Sequence, residues 1–354
     1  MEKVLMKGNE AIAEAAIHAG CMHFFGYPIT PQTEVSAYMA KRMPKIGGTF
    51  LQAESEIAAI NMVLGAASTG VRAMTSSSSP GISLKSEGLS YIAGSDIPCL
   101  ILNVQRGGPG LGGIQPSQSD YNQATKAPGH GDFHLIVFAP STVQEMVDYT
   151  TELFDLAENY RMPAMILADG ILGQMMEPVE FKNVVKKDVI VKPWATDGHK
   201  NLRKNNIINS LILKPELLEK SNFERFARYE QLAKNEQRWE EYMLDDAEIV
   251  ITAFGVSARI AKSAINTARA EGIKVGLIRP ISLYPFPVNA FAKVQDDPKV
   301  KVFLDVEMNM GQMIDDIRLA INCKKPVKLF NHTGGIVPTP KEVYNKIKEM
   351  EASK

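Results

Sequence analysis

The chain has 354 residues, 45% of them apolar and 22% charged, which is the balance of a soluble globular protein of about two domains and excludes a disordered one. Its 39 Lys and Arg offset 40 Asp and Glu, so a net charge of −1 excludes a chain-wide polyanion-binding surface and leaves only a local basic patch open; nucleic acid is not an expected partner. No apolar run has the roughly 18–20 residues of a membrane helix, the first eight residues are too polar for a signal peptide, and the 3 dispersed cysteines, Cys21, Cys99 and Cys323, make neither a disulfide framework nor the thiolate set of an iron–sulfur cluster. A cytoplasmic setting is expected, with any electron-transfer metal on another chain.

The first 190 residues alternate strand-like and helix-like segments. Residues 8–19 are Ala-rich and predict a helix. Residues 22–25 predict a short strand that Gly26-Tyr27-Pro28 ends. An amphipathic helix over 32–41, a strand at 49–52, a helix over 55–67 and a strand at 72–75 follow. Then come a hydroxyl run with Pro80, a buried-type strand at 99–104 and another at 135–138. Ser141-Thr142-Val143-Gln144 has capping-box spacing. Val143, Met146, Val147, Thr150, Leu153 and Ala157 continue it at helical spacing, before a strand at 164–168. Such alternation predicts βαβ units and a parallel sheet. Sites in such sheets lie at the carboxyl ends of strands, where the unusual clusters 27–31, 75–81 and 106–113 fall.

Residues 191–246 break this pattern. The stretch 216–243 is highly charged with scattered aromatics, and Glu224/Arg228 and Glu230/Lys234 have favourable i,i+4 spacing. It predicts a long solvated helix, or an arm that packs on a partner. From residue 247 the alternation resumes, with strands at 249–254, 274–278, 300–304 and 327–330 and helices over 257–270 and 311–321. Thr339-Pro340-Lys341-Glu342 starts a last helix with Thr as cap. The expected division is a domain at 1–190, a charged linker or arm at 191–246 and a smaller α/β domain at 247–354.

Several clusters can carry chemistry, and each also has a plain structural reading. Gly108-x-Gly110-x-x-Gly113 fits a dinucleotide fingerprint, but Pro116 obstructs the helix that should open there. A Rossmann NAD(P) site, a loop beside a site, and a structural turn all remain open. Arg106, at the end of a buried strand, is either a fork for a carboxylate or a solvated arginine. Thr30, before Pro31, either caps the next helix or faces an anionic group. In Glu54-Ser55-Glu56, Ser55 caps and Glu56 complements the helix dipole, or Glu56 is a catalytic carboxylate. Thr75-Ser76-Ser77-Ser78-Ser79 suits a polar ligand or a loop with Ser79 as cap. His130-x-Asp132-x-His134 would need a strand to align a metal, and a loop is predicted there, so no metal site is expected.

Taken in order, Gly26-Tyr27-Pro28-Ile29-Thr30-Pro31, Glu54-Ser55-Glu56 with Gly65-Ala66, Thr75–Gly81 and Gln105-Arg106-Gly107-Gly108 resemble the alpha subunits of the 2-oxoacid:ferredoxin oxidoreductases. Gly276-Leu277-Ile278-Arg279-Pro280 and Glu307-Met308-Asn309-Met310-Gly311-Gln312 extend the resemblance to the second domain. It is nearest the branched-chain type acting on 3-methyl-2-oxobutanoate (2-ketoisovalerate), with 2-oxoglutarate enzymes as near relatives. The resemblance implies a thiamine-diphosphate-binding-type parallel-sheet domain that binds the pyrimidine, followed by a transketolase C-terminal-like domain. It implies oxidative decarboxylation of a 2-oxoacid to an acyl-CoA, with coenzyme A as co-substrate and ferredoxin as external electron acceptor. The diphosphate and Mg²⁺ would sit on a beta subunit that carries a Gly-Asp-Gly…Asn motif; Asp169-Gly170 here lacks the downstream Asn. A gamma subunit and a ferredoxin-like delta subunit would complete the complex, with iron–sulfur clusters on other subunits only.

The site roles follow from the same resemblance. Glu56 would share a proton with the aminopyrimidine ring, favouring the imino form whose nitrogen takes the thiazolium C2 proton. Thr30 and Arg106 would hold the substrate carboxylate. Pro28, Ile29, Ser77 and Ser78 would line the cofactor pocket. The rival readings are an independent Rossmann NAD(P) oxidoreductase, carried by Gly108–Gly113, and a non-catalytic assembly subunit, carried by the charged arm.

Overall fold

A computed structural model describes residues 3–181 and 192–353. β1 (Val4–Lys7) runs into α1 (Gly8–His18). Then follow β2 (His23–Gly26), α2 (Thr33–Arg42), β3 (Thr49–Gln52), α3 (Glu56–Ser68), β4 (Ala73–Ser77), α4 (Pro80–Gly94) and β5 (Leu100–Gln105). α5 (Tyr121–Thr125), β6 (Ile136–Phe138), α6 (Val143–Tyr160), β7 (Ala164–Asp169), α7 (Gly170–Gln174) and β8 (Met176–Val179) complete the first half. Six of these strands run parallel in the order β6-β7-β5-β4-β2-β3, while β1 and β8 form a separate antiparallel pair. The boundary expected at 190/191 lies outside the described residues.

Side-chain alternation explains why both faces of this sheet are covered. On β5, Leu100, Leu102 and Val104 pack with Ile12, Ala16 and Leu153 of α1 and α6, while Ile101 faces Ile60, Leu89 and Ile92 of α3 and α4. β7 repeats the division with Ile166 on one face and Met165 and Leu167 on the other.

The second half contains α8 (Pro215–Asn235), β9 (Trp239–Tyr242), β10 (Ile249–Thr252), α9 (Gly255–Ala270), β11 (Val275–Pro280), β12 (Ser282–Tyr284), α10 (Val288–Ala292), β13 (Val302–Glu307), α11 (Met313–Ala320), β14 (Val327–Asn331) and α12 (Pro340–Ala352). Its sheet has the order β14-β13-β10-β11-β9, parallel except for β9. The capping box at Thr339 and Glu342 forms as its spacing predicts.

Two local expectations are corrected. The charged stretch is not one long helix. α8 ends at Asn235 and Trp239–Tyr242 pairs with β11, because Tyr229 and Leu232 bury themselves against the first half and stop the segment from standing free. Arg228 meets Asp96, and Glu224 lies 3.8 Å from Lys220. The residue that caps α6 is Thr142, not Ser141: its hydroxyl accepts from the Glu145 N–H at 3.1 Å. The Glu145 carboxylate instead accepts from the Ser141 N–H and from Arg279. His134 stacks on Tyr284 at 4.1 Å within an aromatic group that includes Phe226 and Tyr229, whereas His130 contacts Ser90 and Tyr91.

The two halves share one interior. β12 adds an antiparallel edge strand to the first sheet, and Phe254, Ile278 and Phe303 join the apolar layer beneath α3 and α4. Gln118 is fully surrounded: its side-chain amide donates to Phe254 O at 2.8 Å, and its amide oxygen accepts from the Ser257 hydroxyl and the Met308 N–H. Arg279, 1% exposed, is clamped by Glu145 and Glu240. Burial alone would raise the Glu145 carboxyl, but this guanidinium holds it below the ordinary carboxylate range. Breaking a buried pair leaves an uncompensated charge, so Arg279→Ala is expected to cost about 3–5 kcal/mol. Arg259→Ala, which removes a far more exposed pair with Glu177, should cost about 0–1 kcal/mol. Urea unfolding of the two variants checks the difference.

Candidate active site

Four adjacent strands, in the spatial order β5-β4-β2-β3, are parallel, so their carboxyl ends share one edge. Each delivers one part of the site expected there.

The segment after β2 carries Pro28, Ile29 and Thr30, with a cis Thr30–Pro31 bond. Thr30 does not cap α2; that helix starts at Thr33 behind Gln32, without a side-chain cap. The Thr30 side chain is therefore free of that task, and its residue is exposed. Gln32, fully buried, donates to Tyr27 O at 3.2 Å and accepts from the Ser76 hydroxyl at 2.6 Å. It thus ties the β2 loop to the end of β4.

The turn after β3 presents Ser55 and Glu56. Ser55 caps α3 by accepting from the Ala58 N–H at 3.1 Å. Glu56 is the first helical residue, yet it is only 4% exposed. Its side chain is turned inward against α4, so close that a β-carbon at Gly81 would lie 2.6 Å from Oε1 and 2.1 Å from the Ser77 hydroxyl.

β4 ends in the hydroxyl run. Thr75, Ser76, Ser77 and Ser78 are all fully buried, and the hydroxyls of Thr75, Ser77 and Ser78 have no partner among the described residues. Buried hydroxyls without partners are costly, which singles these three out as candidate binding groups. Ser79 does not cap α4. With φ 21° and ψ −79° its backbone is strained, and its hydroxyl donates to the Asp120 carboxylate at 2.6 Å and accepts from the Arg106 N–H at 3.0 Å.

β5 ends in Arg106, only 6% exposed. Its guanidinium donates to Thr30 O at 3.0 Å and to Leu111 O at 3.2 Å, while Nε has no partner among the described residues. Thr30 and Arg106 are thereby brought together. The glycine loop that follows folds back on itself: Gly107 N–H donates to Gln115 O, Gly113 N–H donates to Gly107 O, and Arg106 bridges to Pro116. No helix opens until α5 at Tyr121, so the helix N-terminus that a dinucleotide fingerprint needs does not follow this loop.

Sequence reasoning missed the support behind these groups. Asn103 donates to Asp120 at 2.9 Å and accepts from the Ser79 N–H, and Gln105 accepts from the Asp120 N–H at 3.0 Å. Burial raises the Asp120 carboxyl, against the hydrogen bonds from Ser79 and Asn103. The available signal was the pair of amides inside the apolar run Leu-Ile-Leu-Asn-Val-Gln, since a buried strand holds such side chains only when they are bonded. Lys85, fully buried on α4, was also missed.

The cysteines are free thiols: Cys21 and Cys99 are buried and Cys323 is exposed, and burial pushes the Cys21 thiol up to about 12. Among the described residues no helix is long and apolar enough to cross a membrane.

The arrangement is a polar cradle: an inward carboxylate, an inward guanidinium and hydroxyls with unused bonding capacity around a glycine. Gly81→Ala has no room for its methyl and should destabilise the chain by about 1–3 kcal/mol. Gly65→Ala, with nothing within 4 Å in the middle of α3, should stabilise it by about 0.5–1 kcal/mol. Thermal unfolding reads both signs.

Comparison with known proteins agrees over the whole chain. Residues 14–243 match the family described as pyruvate flavodoxin/ferredoxin oxidoreductase, thiamine diP-bdg, and residues 247–343 match pyruvate:ferredoxin oxidoreductase core domain II. The ketoisovalerate oxidoreductase subunit VorB of Methanothermobacter thermautotrophicus is 48% identical over 99% of this chain and 98% of its own. The 2-oxoglutarate synthase subunit KorA of Methanocaldococcus jannaschii is 36% identical over 97% and 98%. Among solved structures, a 2-oxoglutarate:ferredoxin oxidoreductase from Magnetococcus marinus superposes with a TM-score of 0.83 at 29% identity, covering 98% of this chain, which spans 65% of that one. A split-gene transketolase shares the fold, with a TM-score of 0.59 at 12% identity over 97% of each chain. The chain belongs to the alpha-type subunits of the thiamine-diphosphate-family 2-oxoacid:ferredoxin oxidoreductases.

Proposed function

We propose that this subunit serves an enzyme that oxidatively decarboxylates 3-methyl-2-oxobutanoate to its acyl-CoA and passes the electrons to ferredoxin. The observation that carries the reading is the buried Arg106 guanidinium, held at the Thr30 carbonyl with Nε unspent. A guanidinium in that state accepts the carboxylate of a 2-oxoacid by its fork geometry. The loop 107–115 that continues from it carries no Lys or Arg but exposes Leu111 and Ile114. An apolar substrate side chain suits that loop. The 2-oxoglutarate alternative, favoured by the KorA-type relatives, needs a second cation for its second carboxylate.

On this reading the hydroxyls of Ser77 and Ser78, partnerless among the described residues, line with Pro28 and Ile29 the pocket for thiamine diphosphate, and the absence of a β-carbon at Gly81 leaves the room that the Glu56 carboxyl occupies. When bound, that cofactor supplies a nucleophilic thiazolium carbon and an electron sink for decarboxylation. Glu56 exchanges a proton with the pyrimidine through its carboxyl oxygens, shielded from water by α4. Thr30 and Arg106 orient the substrate carboxylate. Residues 1–190 would be the pyrimidine-binding domain and 247–354 the transketolase C-terminal-like domain, with 191–246 the linker between them, whose strand β9 joins the second sheet. The beta subunit holds the diphosphate and Mg²⁺; exposed Leu51, Ile57 and Leu84, flanking Glu56 and Lys85 in sequence, offer it an apolar contact. Gamma and ferredoxin-like delta subunits, the latter with the iron–sulfur clusters, complete a cytoplasmic assembly that uses coenzyme A.

In the reconstituted complex, Glu56→Gln should lower 2-oxoacid-dependent viologen reduction by about 10²-fold or more. Near-normal turnover would leave only an assembly role. Arg106→Ala should raise KM for the 2-oxoacid. A substrate panel should rank 3-methyl-2-oxobutanoate above 2-oxoglutarate, and the reverse order would select the alternative.

A further inference from the structure

Lys85 has no place in the reading so far, yet its position is unusual. It is 0% exposed and lies in the seam between α3 and α4. Gly81, four residues before it on the same helix face, receives the Glu56 side chain; Gly88, about one turn after it, packs on Ile60, where a β-carbon would lie 2.4 Å away. The two glycines press the helices together and leave the lysine between them. Its ammonium donates to Glu56 O at 3.3 Å, the one hydrogen bond that it makes to the described residues, although it has three donors. The rest of this face is Ile82, Leu89 and Ile92. An apolar side chain of similar length would fill the seam at far less desolvation cost. The charged group that acts on the ammonium is Glu56.

We propose that Lys85 is a positioning residue for Glu56: its ammonium anchors the first turn of α3 through the Glu56 carbonyl and so fixes where the Glu56 side chain enters the seam. The proposal rests on the reading that Glu56 faces the pyrimidine ring of the cofactor. With that turn held, the Glu56 carboxyl oxygens would keep a fixed distance from the ring nitrogen with which they share one proton. No bond is made or broken beyond that one proton's position between Glu56 and the ring. Burial lowers the Lys85 ammonium to about 8, against the pull of Glu56, so the support weakens as pH rises through that value.

The test uses Lys85→Met, which keeps length and removes charge, beside Glu56→Gln. Thiamine diphosphate affinity of the complete complex is measured by calorimetry from pH 6.5 to 9.5. The native complex should bind more weakly as pH passes about 8. Lys85→Met should bind about tenfold more weakly at pH 7, the scale of one lost hydrogen bond to a charged group, and should lack that pH step. A second readout needs no cofactor. The folded chain releases the Lys85 proton near 8 and the unfolded chain near 10.5, so native stability rises with pH across that window, and in Lys85→Met the rise should vanish. If Lys85→Met keeps the native affinity and its pH step, Lys85 is only a filler of the seam and the proposal falls. If Glu56→Gln itself leaves decarboxylation intact, the reading of the site falls instead. The two failures are therefore distinct.

Discussion

Everything at the candidate site depends on how closely α3 approaches α4. That approach is set by Gly81 and Gly88, where even one methyl group would collide with Glu56, Ser77 or Ile60. The close contact turns a carboxylate at the start of α3, normally a solvated complement to the helix dipole, into a 4% exposed acid. It also encloses Lys85 and removes the hydroxyls of Ser77 and Ser78 from water. Burial makes each of these groups expensive to leave unmatched, and the same low-dielectric surroundings strengthen whatever they bind.

Around that seam the fold supplies rigidity at a distance. Gln32 couples β2 to β4, and Asp120 couples Ser79, Asn103 and Gln105. These bonds fix strand ends that loops alone would leave loose. The second half is built into the same frame: Gln118 threads its bonds through Phe254, Ser257 and Met308, and β12 completes the first sheet. Motion of one half against the other would break a shared core, so the edge that carries Thr30, Glu56 and Arg106 is held as one unit.

Much of this was legible in the residues. The apolar runs at 99–104 and 164–168 place β5 and β7 to within a residue, the Ser55 cap starts α3, and β3 falls on its expected residues. The Glu54-Ser55-Glu56 and Gln105-Arg106 segments stand where an open parallel sheet puts its sites. What was illegible depended on contacts far apart in the chain. Trp239–Tyr242 reads as part of a charged helix until β11 offers it an edge. Ser141 looks like a cap until Arg279 claims Glu145. Ser79 looks like a cap until Asp120 claims its hydroxyl. β12 is too short to show a period, and the burial of Lys85 follows from two glycines whose partners lie on another helix.

The central claim is that the Glu56 carboxyl, lodged in the seam between α3 and α4, meets the pyrimidine ring of thiamine diphosphate where a partner subunit closes over this edge. An experimental structure of the assembled enzyme with the cofactor bound tests it most directly. The account predicts a Glu56 carboxyl oxygen within about 2.6–3.2 Å of a ring nitrogen, with Lys85 behind it. A ring bound elsewhere, with Glu56 still closed against Gly81, would contradict it.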